Sequence, residues 1–468
     1  MSYAHLVDLY RTSLTSHQRP DAFLRRTDRG VEAVASAQAR ERIEQIAAAL
    51  VVRGVARGDR IAIWCEPRLE TLLVELAAAS VQAVVVGIDP SWSAEVANRV
   101  LEDADPALIF ISSQAPFVVT GGRSGLAATA SVLFDPPSPT EPAEPAGAWS
   151  TFLADGREAL RATPLLARSR ANDVMPDDLA TIVYREDKSG TPLGVMLTQG
   201  NLVAGVEILL RTFTIGREDV LLIERPPSDL AQRILAYAVL MRGGTIVFSR
   251  PGPQTSVAEE RMAARPTLTL LFPEDAEREV HAFADDLAAS RRGRRLLARA
   301  RQAAGRRQRL LTAGRSMPLR LRVVFSIYSW KVFRLLARRF GGNLRFALVD
   351  ARPLSSGATT LLSGANLPVY LGFGAPETSW LVAANAPSAA RTGTWGRPLG
   401  NLEVRVAYDG EVLVRGASVT PGYWRRPAES AAALENRWFH TGFQGSLDEE
   451  GYLRLGGRKT PAVMARAS

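Results

Sequence analysis

The chain has 468 residues, of which 46% are hydrophobic and 22% charged, so it is large enough for two or three packed subdomains. Its formal net charge of +9 comes almost entirely from arginine, because only Lys188, Lys331 and Lys459 among the 57 basic residues are lysines. An excess of alanine and arginine is typical of GC-rich coding, and net charge alone does not indicate a nucleic-acid-binding fold.

The remaining composition excludes several kinds of site. A single cysteine, Cys65, rules out an intramolecular disulfide and a cysteine-based zinc cluster, and its apolar neighbours predict a buried, unreactive thiol. The four histidines are too scattered to indicate a metal site. Because the N terminus lacks a secretory signal and no run of about 18 apolar residues is present, we expect a cytoplasmic protein without a transmembrane segment.

Helices and strands alternate at short spacing through the first part of the chain. Apolar periodicity predicts helices over 36–53, Leu69–Ser80 and Glu95–Asp103, and strands over Asp59–Trp64, Val81–Ile88 and Ala107–Ile111. Such alternation predicts a parallel, doubly wound sheet with helices on both faces.

Prolines and alanines accumulate between Asp135 and Asp178, which predicts a linker or a surface excursion without a core of its own. The alternation then resumes. Helices are predicted over Asn201–Phe213 and Leu230–Met241, and strands over 177–184, Asp219–Ile223, Thr245–Phe248 and Leu268–Phe272. A second αβ unit is therefore expected after the proline-rich stretch.

A basic helix is predicted over Arg291–Leu310, where nine arginines surround an apolar stripe of Leu296, Leu297, Ala300 and Ala304. One interpretation is a helix that lies on anionic lipid or on an acidic partner. The other, which we favour, is a surface helix packed into the larger subdomain. Interleaved aromatic residues are missing from this stretch, so no nucleic-acid partner is expected.

A glycine-containing motif lies between Tyr184 and Leu202. Its Tyr184, Gly190, Pro192, Gly194 and Asn201, with Ser189 in place of a threonine, match the phosphate-loop motif of AMP-forming acyl-CoA synthetases of the long-chain fatty acyl type. The segment Pro421–Trp424 likewise resembles the small β-subdomain of that family. The resemblance implies an α/β fold, the N-terminal region of adenylate-forming enzymes, with two αβ subdomains containing parallel-type sheets and a small distorted β-barrel.

The resemblance also implies a division of the chain. Residues 1–134 would form the first αβ lobe, 135–178 the linker or excursion, 179–395 the second αβ lobe with the phosphate-loop-like segment, and 396–468 the small β-subdomain. Family members continue into a mobile C-terminal domain that supplies a lysine to the reaction. We expect that domain to be absent, because the sequence stops at Ser468.

The phosphate-contacting half of the loop departs from the family pattern. Arg185, Glu186, Asp187 and Lys188 stand where the family has Thr-Ser-Gly-Thr, and Leu193 stands where it has a lysine. A phosphate loop offers backbone N–H groups, hydroxyl donors and a cation to a polyanion. A carboxylate about 4 Å from a phosphate oxygen would be repelled by roughly 4 kcal/mol at an effective dielectric near 20. We expect a solvated loop without a ligand, with Glu186, Asp187 and Lys188 as candidate acid–base residues if they are buried together.

A second motif, Gly372–Ser379, resembles the family's Gly-Tyr-Gly-x-Thr-Glu. The resemblance implies that Phe373, beside Gly374, stacks on adenine and that Glu377 binds magnesium, which makes Glu377 both a candidate catalytic residue and a candidate metal ligand. The alternative for Glu377 is a capped, solvated carboxylate. Arg458 matches an arginine that touches ribose in the family. The candidate cofactor-binding residues are therefore Ser189, Gly190, Phe373, Gly374, Glu377 and Arg458.

Further positions near the implied site change in charge or size. Asp229 and Glu274 stand where the family has a histidine and an arginine, and Asp350, Ala351 and Arg352 stand where it has Gly-Gly-Ala. Phe443 replaces the aspartate that accepts hydrogen bonds from the ribose diol, and a phenyl ring can accept none.

These departures predict a degenerate long-chain acyl-CoA synthetase-like protein without ATP-dependent ligase activity. It would act as a binding, scaffold or regulatory partner in acyl, lipid or natural-product metabolism. The alternative is an acyl- or aryl-adenylating ligase, or another acyl-transfer enzyme, that works with a protein partner or a separately encoded C-terminal domain. A fatty acyl or aryl carboxylate is a candidate ligand in both cases. ATP or AMP and magnesium are expected only if the nucleotide site survives.

Overall fold

The structure is a computed structural model that describes residues 3–27, 30–112, 131–135, 147–186, 191–249, 256–312, 315–349, 352–387 and 389–458. The chain forms two large sheets flanked by helices, and a smaller antiparallel sheet. The α/β fold class expected from the sequence is thereby confirmed.

The α-helices of the described residues, in chain order, are α1 (Leu6–Ser16), α2 (Ser36–Val52), α3 (Leu69–Ser80), α4 (Ala94–Ala104), α5 (Trp149–Ala162), α6 (Leu166–Asn172), α7 (Gln199–Thr212), α8 (Leu230–Met241), α9 (Val257–Ala264), α10 (Pro273–Ala288), α11 (Arg291–Thr312), α12 (Leu319–Tyr328), α13 (Arg334–Arg339), α14 (Ser356–Gly364) and α15 (Pro427–Ala433). Local signals fix several ends. At the start of α7, the Thr198 hydroxyl accepts from the Asn201 N–H at 3.1 Å, and the Asn201 side chain accepts from the Thr198 N–H at 2.9 Å.

The strands are β1 (Phe23–Thr27), β2 (Gly30–Val34), β3 (Arg60–Trp64), β4 (Val84–Ile88), β5 (Leu108–Ile111), β6 (Ser131–Leu133), β7 (Gly147–Ala148), β8 (Leu179–Glu186), β9 (Pro192–Thr198), β10 (Val220–Ile223), β11 (Thr245–Phe248), β12 (Leu268–Leu271), β13 (Phe346–Val349), β14 (Val369–Ala375), β15 (Trp380–Ala384), β16 (Arg397–Pro398), β17 (Glu403–Val406), β18 (Glu411–Arg415), β19 (Leu434–Glu435), β20 (Trp438–Leu447) and β21 (Leu453–Arg458). A π-helical segment, Ser329–Phe333, joins α12 to α13, and a 3₁₀ turn, Pro376–Thr378, follows β14.

The first sheet has the strand order β7-β6-β5-β3-β4-β8-β9. Its neighbours are parallel except for β8 and β9, which form an antiparallel hairpin. All residues of β4 and β5 are buried, as expected for central strands covered by helices on both faces.

The second sheet has the order β16-β15-β14-β13-β12-β10-β11-β1-β2. In the middle of this sheet, the neighbouring strands β14, β13, β12, β10, β11 and β1 are all parallel. At one edge β2 pairs antiparallel with β1, and at the other β15 pairs antiparallel with both β14 and β16. The third sheet is antiparallel, with the order β17-β18-β20-β19 and with β21 on β20.

Sheet membership does not follow the divisions at 134 and 178 expected from the sequence. Strands β1 and β2, from the N-terminal region, belong to the second sheet, and strands β8 and β9, from the expected second lobe, belong to the first. The physical reason is that parallel strands pair with partners that are distant in sequence, and local patterns specify a strand without specifying its neighbour.

The expected linker over 135–178 also needs correction. Residues 136–146 lie outside the described part, but α5 and α6 follow and pack against the first lobe. Phe152 on α5 is fully buried, and a Cβ on Gly156 would lie 2.0 Å from the carbonyl oxygen of Gln45 on α2. Arg53, which directly follows α2, forms an ion pair of 2.6 Å with Asp155 on α5. The segment therefore contributes to a core because its apolar residues recur at helical spacing between the prolines.

Cys65 is fully buried, as predicted, and burial raises the pKa of its thiol well above the usual range. Among the helices that the structure describes, none is long and apolar enough to cross a membrane.

Candidate functional site

The β8–β9 hairpin positions the phosphate-loop-like segment. Its register places Tyr184 opposite Gly194 and Arg185 opposite Leu193. Leu193, at the position where the family has a lysine, is 9% exposed and part of the main hydrophobic core. The side chain of Glu186 and the residues Asp187, Lys188, Ser189 and Gly190 lie outside the described part of the chain.

The segment that leads into the small β-unit lies against this hairpin. The N–H of Met196 donates to the carbonyl of Gly422 at 3.0 Å, and the N–H of Trp424 donates to the carbonyl of Gly194 at 2.8 Å. Gly194 leaves no room for a side chain, because a Cβ there would lie 2.6 Å from Ile182. The 420–424 segment thus runs alongside β9 and pairs with it through an isolated antiparallel bridge between Val195 and Tyr423.

Glu377 lies in the 3₁₀ turn after β14 and is 2% exposed. Its backbone carbonyl accepts from the N–H of Thr420 at 2.7 Å, which fixes the turn against the 420–424 segment. The interpretation of Glu377 as a solvated carboxylate is therefore wrong. The side chain is buried where the two large sheets and the small β-unit meet.

Arg185 neutralises this buried carboxylate. Its Nε and Nη2 donate to Oε1 of Glu377 at 2.9 and 2.5 Å, and the hydroxyl of Tyr423 donates to the same oxygen at 3.0 Å. Burial acts to lower the pKa of Arg185, but the charge and hydrogen bonds of Glu377 outweigh it and raise that pKa. Burial, followed by the Glu377 charge, raises the pKa of the Tyr423 hydroxyl. Arg185 therefore remains a cation and Tyr423 a hydrogen-bond donor at neutral pH.

The Arg185–Glu377 pair disfavours a magnesium ion at this position. Hard cations bind carboxylate oxygens, and an ion at Glu377 would have to approach a carboxylate whose Oε1 already accepts three hydrogen bonds, two of them from a cation. A divalent ion about 4 Å from the guanidinium would also be repelled by roughly 8 kcal/mol at an effective dielectric near 20. Within the described ranges, no group of three or more His, Cys, Asp or Glu side chains is arranged to hold a metal ion.

Phe373 is 5% exposed and covered by two other aromatic rings. The ring of Phe443 packs edge-on against it at a centroid distance of 5.4 Å, and Trp395 does so at 6.0 Å. Arg458, which is exposed, lies over the Phe443 ring at 5.5 Å. The structure therefore brings Phe373 and Arg458 together, but through Phe443, the residue that stands in place of the ribose-binding aspartate.

Gly374 has a structural reason to be glycine. A Cβ there would lie 1.7 Å from the carbonyl oxygen of Trp380, at the irregularity where β14 pairs with β15. This close approach of two backbones requires glycine whether or not a ligand binds nearby.

The sequence profile of the family described as AMP-binding enzyme matches residues 17–424. The chain belongs to the AMP-binding enzyme family. The resemblance seen in the sequence motifs is thereby confirmed.

The relatives of this AMP-binding family protein include acid–CoA ligases. The long-chain-fatty-acid–CoA ligase FadD15 of Mycobacterium bovis is 30% identical over 439 residues, covering 92% of this chain and 70% of that protein. The N-terminal domain of FACL13 from Mycobacterium tuberculosis has the same fold, with a TM-score of 0.68 at 19% identity over 97% of this chain and 100% of that one. The anthranilate CoA ligase AuaEII does too, with a TM-score of 0.72 at 15% identity over 98% and 78% of the two chains.

Two of the changes in charge predicted near the family's site are paired with each other. Arg352 donates from Nε to Glu274 at 2.9 Å, so a cation in place of a small residue meets an anion in place of an arginine. Asp229 has another role, since it caps α8 by accepting from the N–H of Gln232 at 2.8 Å, and burial raises its pKa. Asp350 and Ala351 lie outside the described residues.

Sequence reasoning missed a polar junction beside the hairpin. The Tyr184 hydroxyl donates to the Asp103 carboxylate at 2.6 Å, the Trp424 indole N–H donates to the Asp103 carbonyl at 3.2 Å, and Arg426 lies 3.2 Å from the same carboxylate. These contacts fix the C-terminal end of α4 to β8 and to the residues at and just after the end of the 420–424 segment. Tyr184 and Trp424 were recognisable as motif residues, but their shared partner was not.

Proposed function

We propose that this AMP-binding family chain is an acyl-CoA-ligase-like protein whose nucleotide site is occupied by its own side chains. It would act as a binding, scaffold or regulatory partner in acyl or lipid metabolism rather than as an ATP-dependent ligase. The ion pair of Arg185 with Glu377 carries the proposal, because the cation that replaces a phosphate-loop hydroxyl holds the carboxylate implied to bind magnesium.

Two further contacts support the proposal. The Phe443 ring lies against Phe373, where the family pattern implies a ribose carboxylate near an adenine-stacking ring. Leu193 supplies an apolar, core-packed side chain where the pattern implies a lysine for the phosphates. Each change alone removes one polar contact to a nucleotide, and together they remove contacts to its magnesium, ribose and phosphates.

The proposed ligand is a fatty acyl or aryl carboxylate, bound without activation. The similarity to FadD15 and the fold shared with an anthranilate CoA ligase support these two classes. A protein that binds such a carboxylate, or the product of a neighbouring ligase, would retain the family scaffold without its chemistry.

The test is calorimetric titration of the full chain with magnesium-ATP, then with AMP, then with a long-chain acyl-adenylate analogue. We expect no binding of any of the three, and expect the variant Arg185→Thr/Leu193→Lys/Phe443→Asp to gain affinity for magnesium-ATP. The matched control is Arg211→Thr/Leu335→Lys/Tyr408→Asp, which makes the same kinds of change at exposed or half-exposed positions.

Micromolar binding of magnesium-ATP to the unmodified chain would overturn the proposal. If mixing with ATP and a fatty or aryl acid then released pyrophosphate, the alternative of an adenylating ligase would replace it. A bound free fatty acid, with no heat from any nucleotide, would instead agree with the proposed role.

A further inference from the structure

The basic charge of this protein is concentrated in one segment. Residues 291–349 contain 17 arginines and lysines and no aspartate or glutamate. This segment alone carries more positive charge than the +9 of the whole chain, so the rest of the chain is net negative. GC-rich coding explains a general excess of arginine, but it does not explain the absence of acidic residues from 59 consecutive positions.

Helix α11, where a basic amphipathic surface was predicted, uses its apolar stripe inside the protein. Leu297, Ala300 and Ala304 are at most 5% exposed and form a second hydrophobic core with residues of α10 and α14. The interpretation of α11 as a packed surface helix therefore agrees with its buried face.

The exposed apolar face lies on the next helix. Leu319, Val323 and Ile327 on α12 are 76%, 56% and 49% exposed and recur every four residues, so they form one stripe. Trp330, in the π-helical segment that follows, is 68% exposed. Val323, Ile327 and Trp330 line the same shallow, open surface depression together with Arg322 and Lys331.

Cations border this stripe. Arg320, Arg322, Lys331 and Arg334 are all exposed. None of the four has an acidic partner within the part of the chain that the structure describes. Isolated exposed apolar residues are normal on protein surfaces, but a contiguous stripe with a tryptophan and a basic border marks an interaction surface.

We propose that the α12 face, defined as Leu319, Val323, Ile327 and Trp330 with the bordering Arg320, Arg322, Lys331 and Arg334, docks onto the surface of an anionic lipid bilayer. The apolar stripe would enter the boundary between headgroups and acyl chains, and tryptophan favours that depth. The basic border matches the charge of anionic headgroups, each cation adding to the attraction within a Debye length.

A bilayer fits this surface better than nucleic acid does. Nucleic acid binding would use the cations and flat aromatic rings, but would leave Leu319, Val323 and Ile327 in water. A lipid surface uses both parts of the α12 face at once. The inference does not depend on whether the nucleotide site is active.

The test is co-sedimentation of the full chain with vesicles of phosphatidylcholine alone, and with vesicles that also contain phosphatidylglycerol. We expect binding to the mixed vesicles only, weakened by raising the salt concentration. Leu319→Ser/Ile327→Ser/Trp330→Ser should weaken partitioning at least about tenfold, since three apolar side chains would no longer enter the acyl-chain region. The matched control, Val31→Ser/Leu165→Ser/Met175→Ser, removes apolar side chains of similar exposure elsewhere and should bind normally.

The charge requirement has its own pair of variants. Arg320→Glu/Arg322→Glu/Lys331→Glu should abolish binding, whereas Arg42→Glu/Arg157→Glu/Arg161→Glu should leave most of it, because those exposed arginines lie away from α12. A circular dichroism melt of each variant establishes that it is folded. Lipids brominated on their acyl chains should quench Trp330, and this quenching should disappear in Trp330→Phe.

Three results would overturn the proposal. They are equal binding to the two vesicle types, equal losses in the α12 variants and their controls, and no binding of the unmodified chain to anionic vesicles. Tight binding of a single-stranded oligonucleotide in the absence of vesicle binding would assign the basic segment to nucleic acid instead.

Discussion

The guanidinium of Arg185 and the carboxylate of Glu377 join the two large sheets. Arg185 belongs to β8 of the first sheet, and Glu377 follows β14 of the second, 192 positions along the chain. The Arg185 side chain is 36% exposed and that of Glu377 only 2% exposed, so one end of the pair reaches water while the other does not.

We expect Arg185→Thr to lower the free energy of unfolding by about 1–3 kcal/mol. Removing the cation leaves a buried carboxylate with fewer donors, and the partial exposure of Arg185 moderates the loss. Urea unfolding of the variant and of the unmodified chain measures this change in the free energy of unfolding. The control is Arg415→Thr, which breaks the exposed pair with Glu403 and should cost less than about 1 kcal/mol. Equal effects in the two variants would contradict a stabilising role for the buried pair.

Asp178 should make stability depend on pH. Burial acts to raise its pKa, but hydrogen bonds from the Met175 N–H, Gln82 and Arg57 outweigh it and lower that pKa. A carboxyl whose pKa is lower in the folded state stabilises above its unfolded pKa of about 4, and this contribution is lost as pH falls through the folded-state pKa.

Asp178→Asn should therefore cost about 1–3 kcal/mol at pH 7, and the difference from the unmodified chain should shrink below about pH 4. Urea unfolding across pH 3 to 7 provides the measurement, with the exposed neighbour Asp177→Asn as the control. A difference that stays constant with pH would show that the carboxylate charge is not responsible.

The packing of α5 on α2 can be tested at a glycine. Gly156→Ala should destabilise by about 1–3 kcal/mol, because the new Cβ would lie 2.0 Å from the Gln45 carbonyl oxygen. Gly305→Ala on α11 makes the same change where nothing lies within 4 Å, and should stabilise by about 0.4–1 kcal/mol. Thermal melts compare the two. A neutral Gly156→Ala would return this segment to the status of a loosely attached excursion.

Cys65 should report global unfolding. It is fully buried, and burial raises the pKa of its thiol, so little thiolate is available to a disulfide reagent. We expect negligible reaction with a chromogenic disulfide in the native protein, and one thiol per chain in urea. Stoichiometric labelling within minutes under native conditions would show that the chain opens locally at the end of β3.

Local structure could be predicted from the sequence with good accuracy. Helices α3 and α8 and strand β11 have the predicted bounds, because apolar periodicity and flanking turn residues are local signals. The helix α1 and the hairpin β1–β2 were not predicted. Residues Gly30, Val31 and Glu32 of β2 are all exposed, so this strand does not alternate between buried and exposed positions, which is the pattern that predicts a strand from sequence.

The contacts of the candidate site were harder to predict. Leu193, Phe443 and Arg185 were recognised as departures from a family motif, but a motif does not say which departures meet. Opposite charge was the one signal in the sequence that could have indicated a contact, because Arg185 pairs with Glu377 and Arg352 pairs with Glu274. Distances between positions so far apart in sequence depend on how the sheets pack, and that packing is not a local property.

The pairing of β1 with β11 has a consequence for the synthesis of the protein. Phe23 lies beside Ile246, so a strand that leaves the ribosome early has no parallel neighbour until more than two hundred further residues have been translated. Strand β8 must meanwhile reach back to β4. Each of the two sheets contains strands from both the N-terminal and the later part of the chain, so neither sheet can form completely from the first half of a growing chain. A break between residues 35 and 178 would separate strands that must assemble together.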